Sequence, residues 1–270
     1  MKFRYFLALL LCLLVPLLAN VSAINDGDAT IDDEDIPDPP FIAFAKVGNV
    51  GALENLLKST KTEGERSAML NTLDKKDRSA LVWSLRRHKP DVARFLLKEK
   101  IDVMHKDCQN HTSLWWAIHR HEWDIAISLI EEGVEVNSDH TNPYLYTASM
   151  YGRHSGLIEK LIHAGADLDA KNVRGLTALD IARSNRRFEV VELLEKAMLE
   201  RPLALHLAAR HGYESLAQRI LEKGKVDFTE KDENGQTALD VSMKVGSHNI
   251  SKAIKEKIAE MKELTNKKEL

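Results

Sequence analysis

Two cysteines, seven prolines and an aromatic fraction of 6% in 270 residues set the first limits. Cys12 lies in an apolar run near the start. A chain cleaved after that run keeps only Cys108, so no internal disulfide can hold it together, and Cys108 is expected to be a spare thiol. The shortage of proline and aromatic residues suits short packed helices better than a β-sandwich. The one long apolar run, Phe6 to Leu18, spans 13 residues, fewer than the roughly 20 a membrane-crossing helix needs. A phosphate-cradling glycine loop is also missing, and no nucleophile stands beside a base with a third group to orient it. What remains, 44% hydrophobic and 29% charged residues, is ordinary globular composition.

The two ends carry addresses. Lys2 and Arg4, the apolar run and the compact Val21-Ser22-Ala23 read as a signal peptide over residues 1–23. The rest of the chain is then expected across the membrane, with no stable membrane insertion after cleavage. Lys267-Lys268-Glu269-Leu270 resembles the Lys-Asp-Glu-Leu signal that retains soluble proteins in the endoplasmic reticulum, with Lys268 where an acidic residue is usual. The expected location is the lumen of that compartment, with secretion as the alternative. Asn110-His111-Thr112 and Asn249-Ile250-Ser251 are glycosylation sequons, usable only in such a compartment. Residues 24–40 hold seven carboxylates (Asp26, Asp28, Asp32, Asp33, Glu34, Asp35 and Asp38) and no basic residue, which predicts a disordered acidic leader.

From Phe41 the chain repeats. Gly165 to Ala182 (GADLDAKNVRGLTALDIA) has a near copy at Gly224 to Val241 (GKVDFTEKDENGQTALDV). A leading leucine recurs at Leu81, Leu114, Leu145, Leu179, Leu205 and Leu239, at intervals of 33, 31, 34, 26 and 34. Three residues beyond each stands a small one: Ser84, Ala117, Ala148, Ala182, Ala208 and Ser242. Apolar pairs follow at Leu56-Leu57, Leu96-Leu97, Leu129-Ile130, Leu161-Ile162, Leu193-Leu194 and Ile220-Leu221, giving each helix pair an apolar face that only its neighbours can cover.

These spacings and turns resemble the ankyrin repeat, whose period is about 33 residues. The resemblance implies an all-α solenoid of about seven helix-turn-helix units over residues 41–262, joined by short hairpin-like loops, with a possible break near 198–202 and a tail over 263–270. In this family the residue four before the leading leucine is left-handed. Gly175, Gly235, Asn110 and Asp77 suit that position, and Thr141 in the fourth unit, ahead of Pro143, suits it poorly. Between the fifth and sixth units the hairpin is missing, and Pro202 is expected in the first turn of the next helix. The final Ile250, Ile254, Ile258 and Met261 read as the apolar stripe of a closing helix.

The resemblance further implies a non-catalytic binding module that takes a protein partner in a concave groove, lined by first-helix ends and hairpin tips. Those positions are Arg78, Arg86, Arg87, His119, Arg120, Tyr151, Asn185, Arg210, His211 and Lys244. The row is basic, although the whole chain carries a net charge of −3. Without Lys2 and Arg4 the charge falls to −5, so the seven leader carboxylates leave the repeat body at about +2. A partner with an acidic segment is expected, and the leader is a candidate competitor for the same face. Nucleic acid is not expected in a lumenal compartment. No cofactor is expected. His119, His121 and Glu122 are the most tempting metal cluster and would make a metal-dependent hydrolase the distant alternative, but two histidines two apart leave a helix on different faces. Trp83 and Trp116 should meet across adjacent repeats, whereas Trp115 and Trp123 are harder to place in a core.

Overall fold

The computed structural model describes residues 38–137, 143–152, 154–223 and 226–266. The expected signal peptide, nearly all of the acidic leader, Thr141 and the Lys267–Leu270 tail lie outside the described residues. Among the described residues there are fifteen helices, and the only β-pairing is three isolated bridges. The chain divides into two compact units between Ser138 and Asp139, not at the 198–202 connector.

The N-terminal unit holds α1 (Pro40–Val47), α2 (Val50–Lys58), α3 (Glu63–Leu70), α4 (Ala80–Arg86), α5 (Pro90–Lys98), α6 (Ser113–His119) and α7 (Trp123–Glu131). Inner helices α1, α4 and α6 pack side by side, as do outer helices α2, α5 and α7. The expected leader ended at Pro40, but Pro40 opens α1, where its missing N–H costs nothing. Helix α3 stands where a first hairpin would be, started by Thr62, whose hydroxyl accepts from the Glu65 N–H at 3.1 Å, and moored by an Arg66–Glu99 ion pair.

The C-terminal unit holds α8 (Tyr144–Tyr151), α9 (Ser155–His163), α10 (Ala178–Ser184), α11 (Phe188–Leu199), α12 (Ala204–His211), α13 (Glu214–Glu222), α14 (Ala238–Val245) and α15 (His248–Asn266). The last helix therefore runs past the expected boundary at 262. Its Ile250 and Ile254 are buried, but Met261 and Leu264 are exposed because the helix outruns the nine-residue α13 beneath it.

The leading leucines of the second to sixth units are buried, and Leu239 in the last is half-buried. Ser84, Ala117, Ala182, Ala208 and Ser242 are fully enclosed, which allows adjacent inner helices to approach closely. Of most apolar pairs only one member reaches the core (Leu57, Leu96, Leu161, Leu194), and its neighbour is half-buried. Successive helical residues point about 100° apart, so one member of a pair usually faces the core more fully; only Leu129-Ile130 and Ile220-Leu221 bury both.

One residue builds each hairpin. Asp74, Asp107, Asn172 and Asp232 stand seven residues before a leading leucine and are 8, 5, 8 and 9% exposed. In each, Oδ1 accepts two backbone N–H groups two and four residues on, at 2.8–3.0 Å. That closes a tight turn through Asp77, Asn110, Gly175 and Gly235, all with φ between 54° and 76°. Ser79, Thr112, Thr177 and Thr237 then cap the inner helices, each accepting an N–H through its hydroxyl at 3.1–3.2 Å.

At the hairpinless connector Pro202 is not in the first turn of α12. Leu203, at φ 59°, breaks the helical path and the helix begins at Ala204. Nor does the array come apart there. Glu195 bridges Arg183 and Arg219 and accepts from the Ser215 hydroxyl, while the Thr177 and Tyr213 hydroxyls lie 2.6 Å apart. Arg183 stacks 4.8 Å from the Tyr213 ring.

Candidate partner-binding surface

In the N-terminal unit the inner helices place their C-terminal side chains in one row, and the row alternates cation with aromatic ring. Lys46 Nζ lies 3.7 Å from the Trp83 ring centre, and Arg86 lies 5.1 Å from Trp83 and 4.6 Å from Trp116. Arg87 and Arg120 flank the same rings at 5.6 and 5.9 Å. The expected meeting of Trp83 and Trp116 is thus mediated by the Arg86 guanidinium. Arg87 is exposed, and Arg86 and Arg120 are half-buried.

Two carboxylates orient the rings from behind. Trp83 Nε1 donates to Asp74 at 2.8 Å and Trp116 Nε1 to Asp107 at 3.1 Å. Burial pushes the Asp74 carboxyl up, but the N–H groups of Arg78 and Lys76, the Trp83 indole and the Arg78 guanidinium outweigh it and hold it below its ordinary value. Arg78 is therefore not a groove residue. It is 8% exposed, ion-paired with Asp74 at 2.7 Å and stacked on Trp83. A hairpin-tip position does not show that Arg78 is claimed, because the buried acid that pairs with it comes within reach only once the hairpin closes.

His119 is half-buried, its ring stacked on Trp115 at 3.7 Å, and His111 stacks on the same ring at 3.8 Å. Trp115 is thereby a half-buried filling between two imidazoles. His121 is exposed at φ 61°, its ring edge-on to Trp123 at 5.0 Å. Among the described residues no three histidine, cysteine or carboxylate side chains are grouped to hold a metal. Cys108 is exposed at a hairpin tip, its N–H on the Lys76 carbonyl.

In the C-terminal unit the corresponding positions are less basic. Tyr151 is half-buried, and Asn185 is exposed and donates to the Met150 carbonyl at 3.3 Å. His211 is not open to a partner. Its side chain is 6% exposed, 3.2 Å from the Asp169 carboxylate and stacked on Tyr213. Arg210 and Lys244 are exposed and line an open cavity of about 620 Å³ that the absent hairpin leaves above Arg201–Leu203, with Asp232, His206 and Val245 among its walls. Arg210 leans to Asp232 at 3.5 Å. The Gln236 N–H is the main cause that holds the Asp232 carboxyl below its ordinary value.

Asn110 is exposed at its left-handed turn, with Thr112 committed to capping α6. Asn249 is exposed in the first turn of α15 and donates to Glu214 at 2.7 Å. The buried turn carboxylates were the residues missed in sequence. The signal was present, an Asp or Asn seven before the leucine, but it reads as a polar loop residue until its two N–H donors are known.

Residues 41–140 match the family model for ankyrin repeats, in three copies. A homolog of transient receptor potential cation channel subfamily A member 1 from Caenorhabditis elegans is 30% identical over 121 residues, which is 43% of this chain. The chain spans only 10% of that protein. Among solved structures, a chain from the complex of a Bdellovibrio bacteriovorus predatory endopeptidase with an immunity protein is similar at 22% identity and a TM-score of 0.44, over 80% of this chain and 97% of that one. No described helix is long and apolar enough to cross a membrane. With its helix pairs, turn carboxylates and left-handed hairpin residues, the fold is an all-α ankyrin-repeat solenoid.

Proposed function

We propose that the chain is a non-catalytic adaptor of the secretory pathway, held in the endoplasmic reticulum lumen, that binds a protein partner through its inner-helix rows. The observation that carries this is the row itself. Arg87, Arg210 and Lys244 are exposed, and they stand where ankyrin repeats make their protein contacts. The location rests on the two ends of the sequence. Arg86, Arg87 and Arg120 are the first-choice contacts in the N-terminal unit, and Tyr151, Arg210 and Lys244 in the other.

The test is compartment. The chain is expressed with and without residues 267–270, cells and medium are followed, and both fractions are treated with a glycosidase specific for immature glycans. Retention of the intact chain with immature glycans, and escape of the truncated one, is the expected result. Escape of both overturns lumenal retention in favour of a secreted binding protein.

A further inference from the structure

The alternation of charge and ring in the N-terminal unit fits a narrower partner chemistry than a basic face does. Lys46, Trp83, Arg86, Trp116 and Arg120 form one ladder in which every cation lies within 6 Å of a ring centre. The first rung is already engaged by an acid, since Lys46 is ion-paired with Asp38, the last carboxylate of the acid-rich stretch that precedes α1. A rung of this ladder therefore accepts a side-chain carboxylate.

We infer that the ladder is a docking site for an extended, carboxylate-rich segment of a protein partner, with acidic side chains on the Lys46, Arg86–Arg87 and Arg120 rungs. The inference rests on the reading of the chain as a protein-binding module. The guanidinium forks of Arg86 and Arg120 pair with carboxylates, and Trp83 and Trp116, 3 and 7% exposed, support those forks from beneath rather than meeting the partner. Asp74 and Asp107, directly behind the rings, also offset much of the positive field, which leaves discrete sites rather than a uniform basic track.

The probe is a short fluorescein-labelled glutamate-rich peptide, titrated against the full mature chain by fluorescence anisotropy at several salt concentrations. Binding that weakens with salt is expected, and Arg86→Gln should weaken it at least about tenfold, the lower end of the coupling between close charge pairs at an interface. Arg120→Gln serves as a second variant should Arg86→Gln perturb folding, which circular dichroism reports. Asp38→Asn should tighten binding by freeing Lys46, and Lys244→Gln, in the other unit, should change nothing. Absence of binding at low salt, equal losses in Arg86→Gln and Lys244→Gln, or heparin binding with the same Arg86 dependence would each overturn the inference. The peptide measurement needs no partner and no particular compartment. Its failure sinks the ladder and leaves the adaptor reading standing, and escape of both chains in the compartment test does the reverse.

Discussion

Removing the Asp74 carboxylate should damage the N-terminal unit more than any other single hairpin change. Asp74 serves four donors. Its Oδ1 takes the N–H groups of Lys76 and Arg78, and its Oδ2 takes Arg78 Nε at 2.7 Å and Trp83 Nε1 at 2.8 Å. In Asp74→Ala the part-buried N–H of Lys76 regains water. The indole of Trp83, 3% exposed, and the guanidinium of Arg78, 10% exposed in its side chain, do not. A buried donor left without an acceptor costs about 1–3 kcal/mol, and a buried ion pair broken on one side about 3–5 kcal/mol. These overlap, so the expected loss is about 4 kcal/mol. Asp107→Ala is the internal comparison, because Asp107 serves the same kind of turn and the Trp116 indole but no buried arginine, and about 2 kcal/mol is expected there. Urea unfolding followed by tryptophan fluorescence is the assay. All four tryptophans (Trp83, Trp115, Trp116 and Trp123) lie in the N-terminal unit, so the signal reports that unit alone even if the two units unfold separately. A loss below about 1 kcal/mol, or one no larger than that of Asp107→Ala, would refute the reasoning.

Glu195→Ala should loosen the hairpinless joint by about 1–2 kcal/mol, since Arg183 and Arg219 are 32 and 43% exposed and rehydrate in part; no change in thermal midpoint would count against the bridge. The carboxyls of Asp74 and Glu195 are both held below their ordinary values of 3.8 and 4.5, so the stability they contribute is present above those values and lost as pH falls through the folded-state ones. Acid titration below pH 4.5 should therefore flatten in Glu195→Gln compared with the wild type. Burial raises the Tyr213 hydroxyl above its ordinary 10.0, so stability should also fall as pH climbs past that value, and Tyr213→Phe should abolish this alkaline loss. Arg186, at φ 55°, sits where glycine is favoured, and Arg186→Gly should stabilise by about 0.5–1 kcal/mol once the added chain entropy of glycine is subtracted; a lower melting temperature would refute it. Asn110→Gln should remove a glycan-dependent gel shift in secretory cells, while Asn249→Gln should leave it in place.

The helix pairs were legible because their signal is local and repeated. A leucine with a small residue three beyond it, renewed about every 33 residues, can only be an inner helix packed between two others. The turn positions of Asp77, Asn110, Gly175 and Gly235 were legible for the same reason, since so few side chains tolerate a left-handed backbone. Side-chain roles were harder. Arg78 and His211 are nitrogen-bearing side chains at groove positions like Arg87 and Arg210, and no periodicity separates them. What separates them is a neighbour: Asp74 and Asp169 claim the first pair, and those acids come within reach only when the hairpin closes or the fifth unit stacks on the sixth.

The sequence by itself determined the helix pairs, their register and the left-handed turn positions, because each of these depends on contacts within one repeat. The tertiary structure decided what lies between repeats. It set the chain's division at Ser138 rather than at the connector near Pro202, where Glu195 and Tyr213 bind one pair to the next. It also placed Arg86 between Trp83 and Trp116, side chains from helices 33 residues apart in the chain. Stacking free energy depends on distances between repeats, and no local pattern of residues encodes those.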